Sequence, residues 1–296
     1  DLLSSLGNRA KASELLNNIH SNSNSKSTFY CKPRDFLYMP SYVMSYSSSE
    51  VVRKSFERYR PLSMYAAVKK GVTTSCDERF LRYWYEVSQN RACLHGGSPS
   101  LSFAYRWFPC SKGGEYRKWY GNNEYIINWE NDGSEIRNFR DERGRLRSRP
   151  QNLDFMFKEC ISWSDVSSKG LTFRYKPAGG LFNDVGPSVI PIYASDIWYL
   201  AAVLNSSIAQ MLSNAISVSN KYTVGEVSQL PIPDPNNVEH KLRITGLSKE
   251  CVIAMRNDWD SFETSWDFES HPLCQPGELL LERQYAHWEG ECRKRF

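Results

Sequence analysis

The pattern of apolar and polar positions divides the chain into helical ends around a strand-rich middle. LLSSLGNRAKASELLNNI, running to Ile19, places apolar residues at roughly helical spacing and predicts a first helix over Asp1–Ile19. His20–Ser27 (HSNSNSKS) has no apolar period and reads as a linker. Phe29–Met44 reads as short extended chain, with Pro33 and Pro40 barring a helix. Ser47, Ser48 and Ser49 offer N-caps for a helix from Ser49 to Tyr59. Gln89–Ser102 reads as a surface loop. Between Tyr105 and Tyr193 the pattern changes to short aromatic and β-branched runs. Tyr125–Trp129 (YIINW), Leu171–Tyr175 (LTFRY) and Val189–Tyr193 read as extended, and Asn152–Phe157 and Ile161–Trp163 as strand or short helix. Asn131-Asp132-Gly133, Arg143-Gly144, Gly179-Gly180 and Gly186-Pro187 punctuate them as turns.

Helical spacing returns at Ile197, Leu200, Ala201, Leu204, Ile208, Met211, Leu212, Ala215 and Ile216. It predicts one helix from Ile197 to Val218, with Asp196 as its N-cap. Leu230-Pro231-Ile232-Pro233 closes as a short strand and a proline-rich exit. From Asn236 the chain reads as a charged connection, and Glu278–Phe296 as a charged helix. The expected fold class is mixed α/β (α+β): a mostly antiparallel, twisted sheet, with Ile197–Val218 packed on it and helices flanking it.

Charge enters this picture through its distribution. A net charge of +4 over 296 residues proves no partner. The excess collects in Arg137, Arg140, Arg143, Arg145, Arg147 and Arg149, opposed within that run only by Asp141 and Glu142. Just upstream, Lys112, Arg117 and Lys118 sit among Tyr116, Trp119, Tyr120, Tyr125 and Trp129. Asn122, Asn123, Gln151 and Asn152 add side-chain amides. Cations take phosphates, rings stack, and amides and arginines read base edges, which makes 107–151 a candidate nucleic-acid surface. The same composition fits a hairpin of cross-strand aromatics with a solvated basic loop.

Other chemistries are weaker. The eight cysteines are dispersed, with no pair two to four residues apart, which argues against a zinc ribbon or finger. Scattered cysteines and no export signal fit a reduced, cytoplasmic chain. The apolar run Trp198–Leu204 is far too short to span a bilayer, so no membrane role is expected. Asp258, Asp260 and Asp267 lie in no ligand spacing, and no metal site is expected. Gly71 and Thr73-Thr74 offer backbone N–H groups to a phosphate. No Asn-Pro-Pro-Tyr motif occurs, and no Gly-x-Gly follows a strand.

KGGEYRKWYGNNEYIINWENDGSEIRNF followed by SRPQN, with GVTTSCDERFLRYWYEVS upstream and ISWSDVSSKGLTFRY, LFNDVGPSVI, VLNSSIAQMLS and DWDSFETSWDFESHPL downstream, resembles the C-terminal half of one family. That family is the PglX adenine-specific DNA methyltransferases of BREX phage defence, and the resemblance covers roughly Phe29–Leu273. It implies three parts: a helical segment and linker (1–60), a DNA target-recognition domain (61–235) and an acidic-aromatic, helical extension (236–296). It also implies a longer parent, an expectation to which the lack of an initiator Met adds. The parent would carry S-adenosylmethionine and the catalytic domain upstream, with no cofactor in this chain and no methyl transfer by it alone. Double-stranded DNA, the upstream methyltransferase domain and other BREX proteins are the implied partners. On this reading Lys112, Arg117, Lys118 and the Arg137–Arg149 run seat the duplex. Tyr120 belongs to the same surface, and Asn122, Asn123, Gln151, Asn152 or an arginine reads bases in the major groove. The alternative is a protein-interaction module whose aromatics dock a defence-system partner or the catalytic domain. A nuclease is a third reading, with no defensible metal constellation behind it.

Overall fold

A computed structural model of the chain describes residues 7–21, 29, 31–217, 219–234, 237–274, 277 and 280–295. They fall into two compact units, Asp1–Arg58 and Tyr59–Phe296. The first holds helices α1 (Asn8–Ser21) and α2 (Glu50–Arg58). Ser49 caps α2 as expected, its hydroxyl accepting from Val52 N at 3.3 Å. The stretch expected to be extended before it turns instead through two short 3-10 segments, Pro33–Phe36 and Pro40–Tyr42, because each proline starts a turn as well as breaking a helix.

The second unit runs β1 (Arg60–Pro61), β2 (Ala66–Lys69), α3 (Asp77–Phe80), β3 (Leu81–Tyr83), β4 (Trp107–Ser111), β5 (Tyr125–Asn128) and α4 (Glu130–Arg137). It continues with β6 (Cys160–Trp163), β7 (Phe173–Lys176), β8 (Leu181–Phe182) and β9 (Ser188–Pro191). It closes with α5 (Ile197–Asn205), α6 (Ser207–Ile216), α7 (Val224–Ser228), β10 (Pro231–Ile232), α8 (Val238–Asp260) and α9 (Leu281–Arg295). The strands form a sheet of order β2-β9-β6-β7, a second of order β3-β5-β4-β8, and a β1-β10 ribbon. The strand pairs are antiparallel except β4 with β8. The mixed, mostly antiparallel α/β class expected from the periodicity is the fold observed.

The core explains why the strands are so apolar. Phe108 of β4, Ile127 of β5, Leu181 and Phe182 of β8, Cys160 of β6 and Ile190 of β9 enclose one cluster with Phe80, Trp129 and Ile136. Strand β6 is buried at every position, so it does not alternate as a half-exposed strand would. Its one hydroxyl, on Ser162, is satisfied by Gly186 O and Pro187 O at 3.2 and 3.1 Å.

Two helices differ from the expectation. The helix expected over Ile197–Val218 is broken at Ser206, whose backbone is extended and whose hydroxyl caps α6 by accepting from Ala209 N; Val218 lies outside the described residues. Asn205 accounts for the break. Its side chain accepts from Phe173 N at 3.1 Å and donates to Phe173 O at 3.0 Å, pairing with β7 as another strand would. Asp196 makes no cap bond and holds Lys241 of α8 at 2.8 Å instead. The charged connection expected after Asn236 contains the 23-residue helix α8, capped by Asn237, which runs along α5. Tyr175 of β7 stacks on Trp198 of α5 at 4.6 Å, and Tyr120, Val252 and Trp259 make a second small core there.

Candidate nucleic-acid interface

The residues singled out in 107–151 separate into two groups. The first group lies between β4 and β5 and is tied into the body of the unit. Lys112 reaches Asp77 at 2.9 Å and lies 4.5 Å over the Tyr125 ring. Burial pushes Asp77 up, but hydrogen bonds from Thr74 and Lys112 outweigh it and hold the carboxyl below its ordinary value. Arg117 pairs with Asp258 of α8 at 2.9 Å and lies 5.0 Å over Trp259. Lys118 donates to Asn205 O at 2.9 Å. Tyr120 is buried, and desolvation pushes its phenol up to about 12.

The amides follow the same pattern. Asn122 is buried with a left-handed backbone, and its Nδ2 donates to Glu115 O at 2.9 Å. Asn123 is buried and accepts from Lys176. The Lys176 ammonium also donates to Gly121 O and Asn122 O at 2.8 and 2.9 Å, so one buried cation pins the whole 121–123 turn. Burial, with the charge of Arg174 beside it, pulls that ammonium down to about 7, against the opposing pull of Glu124. Gln151 and Asn152 are half-buried and donate to Gly71 O and Lys70 O at 2.9 and 2.8 Å. The Gly71 and Thr73 amides that offered themselves to a phosphate are spent on Asn183 O and Arg149 O, because this loop pairs with β-type neighbours.

The second group is on the surface. Asn131-Asp132-Gly133, expected as a turn, is formed by three consecutive left-handed residues inside the first half of α4, and no returning strand follows it directly. Arg137 holds Asp132 at 2.8 Å and covers Trp129. Beyond it, Arg143-Gly144 turns a hairpin in which Arg140 pairs with Leu146. Arg140, Arg143, Arg145, Arg147 and Arg149 are all exposed. Arg140 donates to Gly144 O at 2.9 Å, Arg145 to Asp141 at 2.9 Å, and Arg147 lies 5.4 Å over Phe139. Arg149 bonds through its backbone to Thr73. An exposed ion pair such as Arg145–Asp141 contributes little to stability, about 0–1 kcal/mol, so its guanidinium is free to change partner.

Three contributors, Asp141, Asp258 and Trp259, were not assigned these roles from the sequence. Asp141 organises the hairpin, and the only signal for it was an Asp three residues before a turn glycine. Asp258 and Trp259 brace Arg117 from α8, 141 residues away, which no local pattern reveals. Among the described residues no group of His, Cys, Asp or Glu is placed to hold a metal, no cysteine is paired, and no helix is long and apolar enough to cross a membrane.

No protein-family model matches the chain. Over 283 residues it is 30% identical to the adenine-specific methyltransferase PglX of Lacticaseibacillus casei (strain Zhang), covering 93% of this chain and 23% of that protein. Over 243 residues it is 35% identical to the adenine-specific methyltransferase BrxX of Escherichia coli O9:H4 (strain HS), covering 81% of this chain and 19% of that protein. The chain thus shares descent with adenine-specific methyltransferases. Along most of its length it is homologous to PglX and BrxX, and it spans about a fifth of the length of these relatives.

Proposed function

We propose that this chain is the target-recognition part of a BREX phage-defence adenine-N6 DNA methyltransferase. It binds duplex DNA and sets which adenine is modified, while a catalytic domain of the parent protein extrudes that adenine and transfers the methyl group from S-adenosylmethionine. The observation that carries this is the Arg140–Arg149 hairpin, whose five arginines are all exposed while Ser148, bonded to Ile136 O, and Arg149, bonded to Thr73, tie it to the framework. Its arginines neutralise backbone phosphates and fix the register of the duplex. Lys112, Arg117 and Lys118 are each committed to an internal partner. They brace the 112–123 segment against its own partners, as do Asn122 and Asn123. Gln151 and Asn152, half-buried beyond the hairpin, donate to Gly71 O and Lys70 O, which leaves their side-chain oxygens as the groups that could accept from a base.

A second reading has its own observation. Tyr83 and Tyr85 stack in parallel at 5.4 Å and are both exposed, a shelf suited to docking the methyltransferase domain or another BREX protein. Salt separates the two. Binding of duplex DNA by the chain falls steeply between 50 and 200 mM salt on the recognition reading, whereas aromatic docking responds weakly. The decisive experiment transplants Leu62–Pro233 into a relative with a different target motif and maps the methylated adenines. A methylation pattern that stays with the recipient ends the recognition role.

A further inference from the structure

Between Phe139 and Arg147 the chain doubles back as a narrow ribbon. Asp141 N donates to Arg145 O at 2.9 Å, Arg147 N donates to Phe139 O at 2.8 Å, and Gly144 N closes the turn onto Asp141 O at 2.9 Å. The Asp141 carboxylate ties the tip. One oxygen accepts from both Arg143 N and Arg145 N at 2.9 Å, and the other takes Arg145 Nε at 2.9 Å. These bonds to Arg145 and Arg143 hold its carboxyl pKa below the ordinary carboxylate value. The ribbon is therefore ordered by its own hydrogen bonds before any ligand arrives, and a pre-ordered loop avoids the ordering cost of binding.

The cations of the ribbon differ in what restrains them. Arg140 is bonded to Gly144 O, Arg145 to Asp141, and Arg147 lies on Phe139. Arg143, beside the turn glycine, is bonded through its backbone N–H alone, and its exposed guanidinium has no partner among the described residues. A two-stranded ribbon fits the B-DNA major groove, about 12 Å wide, and not the minor groove, about 6 Å wide.

We propose that the Phe139–Arg147 hairpin enters the major groove as a ribbon, and that Arg143 at its tip reads a guanine by donating two parallel hydrogen bonds to O6 and N7. Arg140, Arg145 and Arg147 flank it and take phosphates on either side. Asp141 is the positioning residue, since it fixes the backbone from which Arg143 projects. This assignment rests on the recognition role proposed above and names the residue that gives it sequence preference. A guanidinium fork makes the paired contact and an ammonium does not, so Arg143→Lys keeps the charge and loses the reading.

The test selects duplexes from a randomised pool with the full chain, comparing wild type with Arg143→Ala, Arg143→Lys and the Arg145→Glu/Arg147→Glu double variant. The expected result is a wild-type motif containing a guanine whose preference falls about 5- to 150-fold in both Arg143 variants, the worth of one bidentate base contact. Total binding of random duplex by Arg143→Lys stays near wild type. An unchanged motif in the Arg143 variants, or wild-type binding without any preference, overturns the assignment while leaving the recognition role to stand or fall on the double variant. Salt-insensitive or absent DNA binding by wild type overturns the recognition role itself. Since Arg143 makes no side-chain contact, unchanged circular dichroism and thermal midpoint accompany either variant.

Discussion

Two neighbouring regions of this chain both read as cationic surface in sequence and take opposite places in the fold. Lys112–Trp129 sets three cations among five aromatics, and Arg137–Arg149 sets six arginines beside one aromatic, Phe139. The first is drawn inward by Lys176, Asp258 and Trp259; Asn122 satisfies the Glu115 carbonyl and Asn123 accepts from Lys176. The second stands out in solvent with a ribbon of arginines braced by one aspartate. A polar side chain earlier in the chain than its partners is pulled inside if a buried group needs it, because leaving a buried donor or acceptor unmade costs about 1–3 kcal/mol. Arginines without such a partner remain outside, where burying them uncompensated costs far more. The inner region is tied into the framework and the outer one is exposed, and the two should respond to different perturbations.

The largest separation is expected at the glycines. Gly121 has φ +117°, and a Cβ there would stand 2.4 Å from Arg117 Cδ and 2.9 Å from Trp259 Cε3. Gly121→Ala adds backbone strain of about 1–2 kcal/mol to overpacking of about 1–3 kcal/mol, and should lower the free energy of urea unfolding by about 3 kcal/mol. A loss below about 1 kcal/mol would mean that the turn and α8 are not joined as described.

The next difference is in pH. Lys176 has its folded value pulled to about 7 from an ordinary 10.5. Between those values the unfolded chain binds more protons than the folded one, so stability rises with pH through that window. Burial raises Cys160 to about 11 and Cys110 to about 12 from an ordinary 9.0. Above 9 the unfolded thiols release protons that the folded ones keep, so stability falls, and Tyr120, raised to about 12 from 10.0, adds to the fall. The thermal midpoint should climb from pH 7 to near 9 and then decline, and Lys176→Met should abolish the climb while keeping the decline. A flat profile from pH 7 to 9 in wild type would remove Lys176 from the framework. The hairpin lies outside this buried framework, so its affinity for phosphate should not follow this profile.

How much of this was legible depends on where each residue's partner lies. The fold class could be read because the apolar period itself changes near Tyr105 and again near Ile197. The hairpin could be read from Arg143-Gly144 because its partners are within a few residues. The break at Ser206 was hidden, since the 3/4 pattern continues through it and Asn205 finds Phe173 32 residues away. Helix α8 was hidden because among its described residues only Ser248, Val252 and Trp259 are buried, too few to mark a face. The fate of the amides was the least legible. Asn123, Gln151 and Asn152 meet Lys176, Gly71 and Lys70 at separations of 53, 80 and 82 residues, and no local pattern encodes that.

On the outer side, charge reversal should act on binding and spare stability. Arg145→Glu/Arg147→Glu removes two cations that make no buried contact. If each holds one phosphate, the slope of log affinity against log salt shallows by about 1.8. Between 50 and 200 mM salt, wild type should then lose about tenfold more affinity than the variant. The unfolding free energy should move by no more than about 0.5 kcal/mol. Equal slopes for the two proteins would show that these arginines are only solvated.

The smallest expected effect is the counterpart of the first. Gly144 also has a positive φ, +74°, but a Cβ there would meet nothing within 4 Å. Gly144→Ala therefore isolates the conformational term, about 1 kcal/mol, with no clash added. That strain falls on an exposed turn held by Asp141, so it should loosen the tip and leave the core intact. The thermal midpoint should barely change, because a surface hairpin can open locally without unfolding the sheets. Amide hydrogen exchange at Arg143 and Arg145 should quicken, since both N–H groups depend on the Asp141 carboxylate keeping its place. Asparagine at the same position tolerates the left-handed region better and should restore most of the protection. If Gly144→Ala instead destabilises the chain as much as Gly121→Ala, the hairpin is part of the framework and the division between inner and outer regions fails.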